Sequence, residues 1–78
     1  NPVSDQLNLE FTLPAEAPVS LQLVSPLGQT VANLFEGRLP AGEQRITLHA
    51  AQYRIPRGLY FYQLRIGDQM TSGQIVWQ

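Results

Sequence analysis

The 78-residue chain carries a formal net charge of −1, is 44% hydrophobic and only 14% charged, and contains no cysteine. This balance excludes a disordered tail, which lacks the apolar residues to offset its ordering entropy, and the missing cysteines exclude disulfides and thiolate chemistry. Its basic residues are five arginines spread from Arg38 to Arg65 with no lysine, so neither a phosphate-neutralising patch nor Schiff-base chemistry is encoded.

A chain of this length makes one domain, and such a domain buries only about 60% of the surface its unfolded form exposes. No apolar run approaches the roughly 20 residues that span a bilayer. The start, "NPVSDQLN", has neither the basic region nor the apolar stretch of a signal peptide, so the chain reads as one module of a longer protein.

Along the chain, "LNLEFTL" alternates cleanly, with Leu7, Leu9, Phe11 and Leu13 on one face, and predicts a half-buried strand. Pro14 and Pro18 punctuate a turn. "VSLQLVS" then sets Val19, Leu21 and Leu23 against Ser20 and Gln22, as a hairpin partner or Greek-key neighbour of the first strand. "SPLG", residues 25–28, has Pro second and Gly fourth, the pattern of a type I turn. In "QTVANLFEG" the spacing of Val31 and Leu34 breaks the alternation; a bulged strand with both residues buried fits better than a single helical turn.

"RLPAGEQ" turns the chain into "QRITLHA", with Ile46 and Leu48 inward and Arg45, Thr47 and His49 outward. After an irregular crossing, "RGLYFYQLRIG" places Tyr60, Tyr62, Leu64 and Ile66 on one face and Leu59, Phe61, Gln63 and Arg65 on the other. Its first half is apolar on both faces, which predicts a central strand covered on one side by the core and on the other by a loop or partner. A Gly-Asp turn leads to "TSGQIVWQ", where Gly73, Ile75 and Trp77 share a face. Six or seven short strands at this spacing predict an all-β, immunoglobulin-like antiparallel β-sandwich.

Chemistry-bearing residues are sparse. His49 is the sole imidazole and has no neighbouring carboxylate or serine in sequence, so it reads as an ordinary surface histidine. No nucleophile-elbow motif marks any serine, and the six acids are scattered without the dense spacing of a calcium loop. No catalytic residue, metal site or cofactor is therefore expected. Tyr53, Phe61 and Trp77 would be the residues of an exposed platform for a sugar ring if the domain were a carbohydrate-binding module; an immunoglobulin-like spacer would instead present an ordinary polar surface.

The segments "NP", "FTLP", "VSLQLVSPLGQTV", "LPAG", "RGLYFYQLRIG" and "SGQIVWQ", in this order and covering residues 1–78, together resemble the C-terminal sorting domain of proteins exported by the type IX secretion system of the Bacteroidetes lineage. The structural motif positions are Asn1, Pro2, Gly28, Gly42, Gly58 and Tyr60. The three glycines stand at junctions of turn and strand, where a positive φ or close backbone approach suits glycine.

The resemblance implies an address that docks on the outer-membrane translocon after the cargo domain has crossed into the periplasm. A sortase-like cysteine protease then removes the domain by cutting at or before residue 1, leaving the cargo at the cell surface or in the medium. Candidate docking residues are Phe61 and the last strand, Gly73, Gln74, Ile75, Val76, Trp77 and Gln78, which offers a backbone edge for strand addition. The chain departs from the family in ending on Gln78, where Lys or Arg is usual.

Overall fold

The computed structural model describes the backbone of residues 2–3 and all of residues 6–49 and 52–77. Asn1 and Gln78 fall outside the described residues, as does the side chain of Pro2.

The strands are β1 (Pro2–Val3), β2 (Gln6–Leu13), β3 (Ala17–Val24), β4 (Thr30–Leu39), β5 (Gly42–His49), β6 (Gly58–Ile66) and β7 (Gln69–Trp77). A five-stranded sheet has the order β1-β7-β6-β3-β4 and a two-stranded sheet pairs β2 with β5. All pairings are antiparallel except the short parallel contact of β1 with Val76 and Trp77 of β7. The order β7-β6-β3 opposite β2-β5 is that of the immunoglobulin sandwich, strands G, F and C against B and E.

Strand alternation builds the core. Leu7 and Leu13 of β2, Ile46 and Leu48 of β5, Val19, Leu21 and Leu23 of β3, Leu34 of β4, Tyr60 and Leu64 of β6, and Ile75 and Trp77 of β7 form one buried cluster. No polar or charged residue is buried among the described residues, so none of that core carries the cost of unpaired polar groups. The outer face of the two-stranded sheet is correspondingly polar: the Thr47 hydroxyl donates to Asn8 Oδ1 at 2.9 Å, and Arg45 bridges Glu10 at 2.8 Å.

β2 and β3 follow each other in sequence but lie in different sheets, which resolves the hairpin alternative in favour of a crossing between layers. β2 pairs instead with β5, from Leu13 opposite Gly42 to Gln6 opposite His49.

β4 is a strand with two irregularities. Leu21 faces Phe35 while Gln22 faces Asn33, so Leu34 is the extra residue; Leu23 faces Ala32 while Val24 faces Thr30, so Val31 is the second. The first bulge brings both Leu34 and Phe35 to the core side. Val31, the extra residue of the second, is 39% exposed. The expectation that Val31 is buried is thereby corrected: with Leu34 as an extra residue, Ala32 takes the core phase opposite Leu23 and its neighbour Val31 falls outside it.

The turn after β3 closes through a Gly28 N–H to Ser25 carbonyl bond of 2.9 Å and a Ser25 N–H to Gln29 carbonyl bond of 2.8 Å. Gly28 has φ +88. This is a type I turn followed by a left-handed residue that forms a bulge, a common three-residue hairpin connection. Gly42 and Gly58, expected at such junctions, likewise have positive φ, +113 and +155.

Candidate docking face

The β-strand register lays out the exposed side of the five-stranded sheet row by row. β6 is its middle strand, with β3 and β7 on either side, as its two apolar faces require. Inward, Tyr60 is buried and donates its hydroxyl to the Pro56 carbonyl at 2.7 Å. A tyrosine near the start of this strand that bonds back to the preceding corner is a recurrent immunoglobulin device, and it ties the loop 52–57 to the core. Ile55 and Tyr53 of that loop pack against the core, and Tyr53 reaches the Leu34 carbonyl at 3.4 Å.

Outward, the sheet changes character along its length. At one end Ser20 lies between Glu36 of β4 and Arg65 of β6, and the next row is Asn33, Gln22, Gln63 and Ser72. Gln22 donates to Asn33 at 2.8 Å. An open hollow of about 490 Å³ lies at this polar end, lined by Pro18, Ser20, Glu36, Arg38 and Arg65 among others. At the other end Val24 faces Phe61, which faces Gln74, and one row further Leu59 faces Val76. Leu59 and Val76 are 40% and 39% exposed, and Phe61 is half-buried. The turn beside them raises Leu27 to 88% exposure. Val24 itself is buried, and an outer sheet face of a sandwich is ordinarily polar, so the exposed apolar strip on β6 and β7 stands out.

The expected docking residues are divided by this geometry. Phe61, Gln74 and Val76 are on the outer face; Ile75 and Trp77, 1% and 3% exposed, point into the core; Gly73 lies under the ring of Tyr62, its cross-strand partner. A methyl group built on Gly73 would stand 2.5 Å from Tyr62 Cε2, so the glycine is the seat of that ring. Ile75 and Trp77 can thus take part in docking only through their backbone. β1 covers the edge of β7 at Val76 and Trp77, and among the described residues no strand pairs with the far edge of Gln69–Ile75.

Burial of Trp77 also corrects the sugar-platform reading. A stacking platform needs coplanar rings open to solvent; Trp77 is a core residue and Tyr53 packs against that core. His49 is exposed on the end strand of the small sheet, while Ser20 and Ser72 face away on the opposite side of the sandwich. Among the described residues no group of three or more His, Asp or Glu side chains is placed to hold a metal ion.

Leu27 and Leu59 did not figure among the sequence-derived docking residues. Their signal was legible: Leu27 is the third residue of a four-residue turn, a solvent position, and Leu59 has the parity of Phe61.

A family model for secretion system C-terminal sorting domains matches residues 1–78. No curated protein and no solved structure matches the chain. That match spans the whole length of an all-β sandwich, and it shows that this chain belongs to the family of type IX secretion system C-terminal sorting domains.

Proposed function

We propose that the domain acts as an export address, docking on the outer-membrane translocon through the apolar end of its five-stranded sheet. The observation that carries this reading is the strip formed by Phe61, Leu59 and Val76, on a face where alternation calls for polar residues. Exposed apolar area of this kind marks interaction surfaces.

In this reading the cargo domain precedes residue 1 and travels through the periplasm with the sorting domain attached. A sortase-like cysteine protease cuts at or before residue 1, and the cargo reaches the cell surface or the medium. The domain is then a substrate and a ligand, with no catalytic role, cofactor or metal. The open edge of β7 supports strand addition as part of the docking.

The test is a fluorescent reporter with a signal peptide, fused before these 78 residues and expressed in a bacterium with a working type IX system. Export to the surface or medium is expected, and it is lost when the translocon is disabled. Reporter that folds but stays in the periplasm, while a known sorting domain exports it in the same cells, overturns the reading.

Deleting the last six residues is a poor probe of recognition, since it also removes Ile75 and Trp77 from the core. Val76→Ser and Phe61→Ser leave those anchors in place and address the outer face.

A further inference from the structure

Charge is distributed unevenly between the two ends of the sandwich. Glu16, Glu43 and Asp68 lie in or beside the connections at the end where β2 and β6 finish, and Glu36 lies near them on β4, four carboxylates against the two arginines of that end, Arg38 and Arg65. The opposite end holds the turn 25–29, the loop 52–57, the start of β6 and the end of β7. Its described residues carry Arg54 and Arg57, both exposed, and the exposed His49, and no carboxylate; Asp5, which precedes β2 in the sequence, lies outside the described residues. The ion pairs of the described residues, Arg38 with Glu16 and Arg45 with Glu10, are elsewhere. Of the five exposed large apolar residues among the described ones, Leu27, Leu59, Val76 and Val31 are at this same end, and Met70 is at the other.

From this juxtaposition we infer that the docking end recognises an acidic, apolar protein surface: apolar side chains seat on Leu27, Leu59 and Val76, and partner carboxylates meet Arg54 and Arg57 at the rim. This inference rests on the sorting reading and deepens it by assigning the chemistry of the partner. An apolar centre with a charged rim is the usual anatomy of a protein interface, and complementary rim charges set its salt dependence and encounter rate. A second copy of the chain is a poor occupant: an isologous pairing through this end sets arginines of one copy against those of the other.

The test uses the purified 78-residue chain and three probes: outer-membrane vesicles from a type IX-competent bacterium, the same vesicles from a strain lacking the translocon, and phosphatidylglycerol vesicles. Binding to the first alone is expected, weakening as salt rises to about 0.3 M and the Debye length falls below about 8 Å. Arg54→Glu with Arg57→Glu is expected to weaken binding about tenfold, as reversal of complementary rim charges does, and Leu27→Ser with Leu59→Ser to weaken it as well. Arg38→Glu with Arg65→Glu makes the same change in net charge at the polar end and leaves binding unchanged. Thermal melts establish that each variant is folded.

Equal binding to translocon-free or phosphatidylglycerol vesicles identifies a lipid surface and overturns the inference. So does a folded Arg54/Arg57 variant that binds like the parent. The reporter assay separates the two levels: if the parent domain exports and both docking-end variants export equally well, the partner chemistry falls and the sorting role stands. If the parent domain does not export, both fall.

Discussion

Tyr60 and Gly73 are two positions where one atom or group decides local structure. The Tyr60 hydroxyl bonds the Pro56 carbonyl at 2.7 Å while its ring remains in the core. Tyr60→Phe keeps the ring and loses the bond, at a cost of about 1 kcal/mol; for a domain of this size that lowers the midpoint of a thermal melt by about 4–8 °C. An unchanged melt would show that the corner does not depend on this bond. Gly73→Ala thrusts a methyl group into the Tyr62 ring. The expected loss is about 1–3 kcal/mol, the usual range for overpacking. It should shrink sharply in a Tyr62→Ala background, and a double-mutant cycle in urea measures that coupling; additive effects would rule out the ring as the cause. Sequence made Tyr60 legible as a core residue through its phase with Leu64. It did not show the seat at Gly73, because cross-strand partners become neighbours only when register is set.

At the scale of elements, the turn 25–29 and strand β4 are governed by different information. The turn is local: Pro26 and Gly28 within four residues specify it, and the φ of +88 at Gly28 follows. Gly28→Ala is therefore expected to destabilise by about 1 kcal/mol, since alanine disfavours that backbone region, even though the added methyl group meets nothing within 4 Å. Chemical denaturation checks this; a neutral result would mean the turn can relax. β4 is not local in this sense. Its broken alternation signalled one bulge, but where the extra residues fall depends on the partner β3, whose register puts Ala32 in the core phase and leaves Val31 in solvent. Bulges also disfavour pairing of an edge strand with other chains, and β4 is the edge of the large sheet opposite β1.

For the whole molecule, stability rests on one cluster shared by two sheets. Leu21 is fully buried at its centre, so Leu21→Ala should cost about 2–5 kcal/mol. Domains of this size have about 4–12 kcal/mol in total, at about 0.05–0.15 kcal/mol per residue. The variant is expected to lose a large share of its cooperative melt, and a shift of only a few degrees would argue that the cavity collapses. Folding is expected on the millisecond-to-second scale in stopped-flow refolding, because β2 finds its partner β5 only after β3 and β4 intervene. Microsecond folding would contradict a non-local sheet as the rate-limiting structure.

The alternation of apolar residues, the proline and glycine punctuation and the spacing of strands were enough, by themselves, to determine an all-β sandwich and most of its core. Each of these is a short-range property, read from residues within one strand or turn. The ordered motifs from "NP" to "SGQIVWQ" also carried the family, which the match over residues 1–78 bears out. Only the tertiary structure decided that β2 pairs with β5, that Trp77 is a core residue, and that Leu27, Leu59 and Val76 share one end with Arg54 and Arg57. These are facts of register and layer assignment, which arise when segments tens of residues apart compete for the same partners.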